Sequence, residues 1–114
     1  MIDIGIIGGS GYTGGELIRL LLQHPKARIR TVTSRRCAGT PVTDVHRHLS
    51  GLTDLAFVDP ALSEIASACD VVFTAVPHGA AMDIVPELLT CGTRVIDLSA
   101  DYRLPQQVFE DTYK

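Results

Sequence analysis

The stretch GGSGYTGGEL, residues 8–17, stands between a short apolar run and the start of a helical pattern. Gly9, Gly11 and Gly14 satisfy the spacing G-x-G-x-x-G, and Gly8, Gly11 and Gly14 satisfy the related G-x-x-G-x-x-G. No other feature constrains the chain so strongly, because each glycine removes a Cβ where the backbone must turn or be approached closely. The first glycine allows a sharp strand-to-helix turn. Gly11 lets backbone amides come close to an anion, and Gly14 permits tight packing of helix against strand. The amides of Ser10 to Thr13 then face the anion at a helix N-terminus, where the helix dipole favours negative charge. Hydroxyls on Ser10 and Thr13 add donors. No Gly-Lys-Ser or Gly-Lys-Thr follows, which excludes a P-loop, and the strand–turn–helix setting points to a dinucleotide.

The rest of the chain supplies the frame such a turn requires. Ile2 to Ile7 is apolar and β-branched and reads as a buried strand. Leu17 and Leu21 lie one helical turn apart, as do Ile18 and Leu22, which predicts a helix over about Gly11–His24 ended by Pro25. Arg28 to Ser34 alternates and predicts a second strand. Cys37 to Thr53 is rich in Gly, Pro, Thr and His and reads as an extended loop of the long kind that carries structure or function. A weak third strand is expected at Leu55–Val58, then a short helix from Ser63. Asp70 to Val76 is near-continuously apolar, as in a parallel strand covered on both faces. A helix over Ala80–Leu89, kinked or divided at Pro86 and capped by Cys91-Gly92, leads to a fifth strand at Arg94–Leu98. This order implies an α/β fold, Rossmann-type and doubly wound around a mostly parallel sheet.

With 114 residues the chain holds one domain of ordinary size. Its net charge of -3 speaks against a nucleic-acid surface, and no apolar run reaches the roughly 20 residues of a membrane span. Asp3 and the early glycines stand where a signal peptide would have its apolar stretch. Three cysteines, Cys37, Cys69 and Cys91, form no CxxC and cannot all pair, which fits a reduced, cytoplasmic setting.

The end of the second strand separates the two nicotinamide cofactors. An Asp or Glu about 20 residues beyond the glycines serves the adenosine ribose in NAD-type folds. Here the place is taken by Ser34, Arg35 and Arg36, within a stretch from Lys26 to Thr43 that has no acidic residue. Guanidinium groups bind phosphate through charge-assisted, often bidentate bonds, and Ser34 can donate another. NADP (NADPH) is therefore the expected cofactor. The alternative is that both arginines decorate a solvated loop.

Ligands in open α/β sheets lie outside the carboxyl ends of the strands. The later strand ends, AVPHG and DLSADYR, project there, which makes His78 and Arg103 candidates on the substrate side. A lone loop histidine such as His78 is as often structural. Asp97 and Asp101 are expected to brace their turn. His46 and His48 flank Arg47 without a carboxylate or thiol partner, so they read as loop residues and no metal site is expected.

In this order, GGSGYTGGEL, VTSRR, AVPHG and DLSADYR resemble the N-terminal half of the N-acetyl-gamma-glutamyl-phosphate reductases over essentially the whole chain. TSRRCAGTPVTDVHRHL is especially similar to the subgroup shared with reductases of carrier-protein-linked aminoadipyl or glutamyl phosphates. The resemblance implies a step of arginine biosynthesis, or the analogous lysine one. In that step a cysteine thiolate attacks an acyl phosphate, phosphate leaves, and NADPH reduces the thioester to a semialdehyde. It also implies that Ser10, Gly11, Tyr12 and Thr13 hold the pyrophosphate and that Ser34, Arg35 and Arg36 hold the adenosine phosphate, while the glycine spacing adds Gly8 to the cofactor-binding candidates.

The family's nucleophile lies in a Gly-Cys-Tyr-Pro-like motif that this chain lacks. Cys37 follows the phosphate-binding end, and Cys69 and Cys91 precede strands, on the face opposite the ligand, so no catalytic residue is expected here. The expectation is a truncated cofactor-binding domain, residues 1–114, inactive alone and lacking its substrate domain. The acyl-phosphate substrate would be met through that domain, and a homo-oligomer is a possible assembly at full length. The competing reading is a free-standing, non-catalytic NADP-binding module.

Overall fold

The computed structural model describes residues 1–76 and 81–98, the side chains of residues 81 and 82 excepted. Its centre is β1, Ile2–Ile7, whose alternate residues serve two different cores. Ile4 and Ile6 point into one cluster with Ile18, Val32 and Phe57, while Ile7 joins Ile65, Val72 and Leu88 in the other. A strand buried on both faces must be apolar at every position, which is why IDIGII carries no alternation of polar residues past Asp3.

Helix α1, Tyr12–Leu22, lies over the first face and buries Ile18 completely. The chain then forms β2, Ala27–Thr33, parallel to β1 with one register shift between Ile4 and Gly5. Residues 34–61 follow as a long excursion containing α2, Val42–Val45, and a 3-10 turn at Arg47–Leu49. Helix α3, Leu62–Ala68, leads to β3, Val71–Thr74, and α4, Ala81–Thr90, leads to β4, Arg94–Asp97. Both helices pack on the second face. There Gly5 has no room for a side chain, because a Cβ would lie 3.0 Å from Cys69 Sγ and 3.2 Å from Ile65 Cγ2.

The sheet order is β2-β1-β3-β4 and every pairing is parallel. The chain winds outward from β1 in one direction through β2, then crosses back to β3 on the other side. This reversal places a crevice between the carboxyl ends of β1 and β3, where ligands of such sheets bind. The Rossmann-type, doubly wound architecture expected from the sequence is the one observed.

Two local expectations change. Leu55–Val58 is no sheet strand, and the described residues form a four-stranded sheet. The segment makes one parallel bridge, Thr33 to Val58, and one antiparallel bridge, Pro41 to Ala56. Its pairing stops immediately because Pro60 has no amide to contribute. Helix α4 is also not divided at Pro86, which lies inside one continuous helix. Its end is capped as expected, with Gly92 at φ 81° and the amides of Gly92 and Thr93 donating to Leu89 and Leu88 carbonyls.

Candidate functional site

The glycine turn is stitched to the end of β2. The amides of Gly8 and Gly9 both donate to the Thr33 carbonyl, at 3.2 and 2.9 Å. Gly8 adopts φ 84°, and a Cβ there would sit 2.8 Å from the Ala75 carbonyl oxygen, so only glycine fits between the ends of β1 and β3. Gly14 packs on the turn itself: a Cβ would lie 2.7 Å from Gly9 C, Cα and O. Gly11 differs from both. It is the N-cap of α1, and a Cβ there would meet nothing within 4 Å. The first intrahelical bond of that turn runs from Gly15 N–H to Gly11 O at 3.0 Å, so the amides of Tyr12, Thr13 and Gly14 precede it and stay available to a ligand.

At the end of β2, buried Ser34 shapes the turn that follows. Its hydroxyl donates to Ser10 Oγ at 3.2 Å and accepts from the Cys37 amide at 3.1 Å. The second bond closes a tight side-chain turn that leaves Arg35 and Arg36 exposed. The first ties the arginine turn to the glycine turn.

Both turns open onto one groove of about 990 Å³ whose lining includes Gly8, Ser10, Gly11, Tyr12, Thr13, Ser34, Arg35 and Arg36. All eight residues selected from the sequence around the dinucleotide therefore converge. The groove also takes in Asp59 to Leu62, and Asp83, Ile84 and Glu87 of α4. Asp59 arrives through the Thr33–Val58 bridge, with Ser34 N–H donating to Val58 O at 3.1 Å. The sequence reading placed no carboxylate near the arginines because this one comes from a distant segment.

Past β3, His78 and Arg103 lie outside the described residues, as does Asp101. Asp97 ends β4 and accepts a 2.8 Å bond from the hydroxyl of Thr74, which is fully buried. It therefore braces the neighbouring strand, and the turn it was expected to brace lies outside the described residues. All three cysteines are free. Cys69 is buried beside Gly5 near the start of β3, and burial, reinforced by the Asp3 carboxylate, pushes its thiol up from the ordinary value. Such a thiol is a poor nucleophile. Among the described residues, no three His, Cys, Asp or Glu side chains gather into a metal-holding group, and no helix is long and apolar enough to cross a membrane.

His46 lies between α2 and the 3-10 turn, a loop residue as expected, but it is not a solvated one. Its ring is buried, and Nε2 lies 2.6 Å from the Gly9 carbonyl oxygen. The excursion between β2 and α3 is packed against the first core through Val42, Leu49 and Phe57, all fully buried, and it carries His46 under the glycine turn. His48 remains exposed.

A parallel sheet, a glycine turn at its switch point and a groove joining that turn to the end of β2 define a dinucleotide-binding domain. Residues 3–109 match the family described as "Semialdehyde dehydrogenase, NAD binding domain". The chain belongs to that family. Similar relatives include N-acetyl-gamma-glutamyl-phosphate reductases from Methanothrix thermoacetophila, 71% identical over 99% of this chain, and Methanocella arvoryzae, 66% identical over 99%. The enzyme of that name from Acinetobacter baumannii is 53% identical over 99%. This chain covers 33%, 34% and 32% of those relatives, so it spans about a third of their length rather than the half expected. Among solved structures, aspartate semialdehyde dehydrogenase with NADP from Candida albicans superimposes with a TM-score of 0.76 at 26% identity. That match covers 90% of this chain and 30% of the other. Yeast saccharopine dehydrogenase, at a TM-score of 0.67 and 18% identity over 92% of this chain and 23% of that one, shares the fold.

Proposed function

We propose that this chain is the NADP-binding part of an N-acetyl-gamma-glutamyl-phosphate reductase, which reduces an acyl phosphate to a semialdehyde with release of phosphate. The observation that carries the cofactor is the shared groove, with the Ser34–Arg36 turn at one end and the open Gly11 cradle near it. The cradle fits a pyrophosphate, because the space a Cβ would fill is left empty beside amides that precede the first intrahelical bond. Arg35 and Arg36 line the same groove and carry the charge that suits a 2′-phosphate. When bound, the nicotinamide supplies the hydride.

The chain's own residues bind and orient. The amides of Ser10 to Thr13 hold the pyrophosphate, and Ser34 shapes the arginine turn while linking it to Ser10. The relatives' names and their 53–71% identity support the reaction. Its nucleophile is assigned to no cysteine of this chain. Cys69 is buried by the start of β3 and Cys37 follows the arginine turn, while Cys91 sits exposed just before β4, opposite the groove end of that strand. Free thiols at all three positions support a cytoplasmic setting.

Fluorescence titration with both reduced nucleotides tests the cofactor. Hydrogen bonds to charged groups contribute about 1.5–3 kcal/mol, so NADPH should bind about 10- to 150-fold tighter than NADH. Arg35→Ala should remove most of that preference. Equal affinities in the unsubstituted chain would exclude the NADP assignment.

A further inference from the structure

We propose that His46 is a positioning residue for the dinucleotide: its ring N–H aims the amide of the glycine turn at the pyrophosphate. The inference rests on the cofactor reading above and extends it to a residue outside the glycine fingerprint. A carbonyl oxygen can only accept, so the 2.6 Å contact makes His46 Nε2 the donor and Gly9 O the acceptor. The peptide bonds of the described residues are trans. In a planar trans peptide the C=O and N–H of one unit point in opposite directions. Drawing Gly9 O toward the buried ring therefore directs the Ser10 N–H away from it, on the side where Ser10 lines the groove.

A turn made of glycines needs such a brace, because glycine adopts many backbone conformations at little cost. Left free, the Gly9–Ser10 peptide would have to be ordered when the ligand arrives, and that ordering weakens binding. The ring is itself held. His46 N–H donates to Val42 O at 2.9 Å, and its carbonyl accepts from Leu49 N–H at 3.0 Å. Phe57 meets the ring edge-on, with centroids 6.1 Å apart. Helix α1 makes room for it as well. A Cβ at Gly15 would sit 2.6 Å from His46 Nδ1 and 2.7 Å from Cε1, so the glycine after the fingerprint is there for the histidine.

The test uses the chain with two probes. NADPH spans both turns, whereas adenosine 2′-monophosphate has no pyrophosphate and engages the Ser34–Arg36 end. His46→Phe keeps the ring and removes the donor. It should weaken NADPH by about tenfold or more while leaving adenosine 2′-monophosphate within about twofold. His46→Gln, which retains an N–H donor, should restore NADPH to within about threefold of the unsubstituted chain. Gly15→Ala, which displaces the ring with the histidine still present, should reproduce the selective loss. It also decides the matter together with the glutamine variant should the phenylalanine variant not fold.

Unchanged NADPH affinity in His46→Phe or Gly15→Ala would overturn the proposal. So would a parallel loss of both ligands, which marks a merely structural ring, or a glutamine variant no better than phenylalanine. An unsubstituted chain that binds neither probe overturns the cofactor reading, and this inference with it.

Discussion

Gly11 separates folding from binding, and a single methyl group tests the separation. Its backbone stands at φ −82° and ψ 177°, a conformation open to any L-residue, and a Cβ there meets nothing within 4 Å. Replacing glycine by alanine at a compatible position stabilises a protein by about 0.4–1 kcal/mol, through lost freedom of the unfolded chain. Alanine is a poorer N-cap than glycine, which offsets part of that gain. Gly11→Ala should therefore leave stability within about 0.5 kcal/mol of the original, as read from urea midpoints. Ligand binding should respond very differently. The proposed site uses this empty space as the approach path of the pyrophosphate, and forcing a methyl into a packed contact costs about 1–3 kcal/mol. NADPH affinity should fall about 5- to 150-fold in a fluorescence titration on the same preparation. Gly14→Ala is the counterpart, since its methyl would lie 2.7 Å from Gly9 backbone atoms and must disturb the turn before any ligand arrives. A Gly11→Ala chain that binds NADPH normally would refute the placement of the pyrophosphate. A loss of more than about 1 kcal/mol of stability would refute the openness of the cradle.

Two further outcomes follow from buried groups. Thr74→Val keeps the shape of a fully buried side chain but removes its 2.8 Å bond to Asp97, and should lower unfolding stability by about 1–2 kcal/mol in urea. A midpoint unchanged from the original would show that Thr74 contributes only its shape. Because the Cys69 thiol is pushed up by burial and by Asp3, the unfolded chain loses this proton at lower pH than the folded one. The associated stability is complete below the ordinary thiol range and is lost as pH rises through it toward the folded value. Alkylation should accordingly reach exposed Cys91 well before Cys69, and early labelling of Cys69 by mass spectrometry would contradict its burial.

The parts of this molecule that could be read from the sequence are those where one local pattern has one physical cause. IDIGII and DVVFTAV are nearly continuous apolar runs because both their faces are covered, and strands appear there, the first over the whole of Ile2–Ile7 and the second shortened to Val71–Thr74, where pairing stops. The glycine turn and the Ser34–Arg36 turn were legible as neighbours at one groove, because strand ends in such a sheet open on the same side. Asp59 was not legible in this way: a bridge of one residue pair carries it to the groove, and no periodicity announces a single bridge. Leu55–Val58 misled for the same reason, since four residues of strand-like composition do not reveal whether they extend a sheet or touch it once. The missed burial of His46 is different, because a signal was present. Packing within the turn explains Gly9, whose Cβ would collide with Val32, and Gly14, whose Cβ would collide with Gly9, and the proposed cofactor explains Gly11, yet nothing in the fingerprint requires the next residue to be glycine. Gly15 is explained by a ring that would otherwise collide with the helix, and Val42 and Leu49, at helical spacing from His46, are the apolar anchors that bring the ring there. An unexplained glycine beside a binding turn, together with a polar residue set between apolar anchors in a loop, points to a buried brace rather than a solvated side chain. The two features lie 31 positions apart in sequence, and only their contact gives either a physical reason.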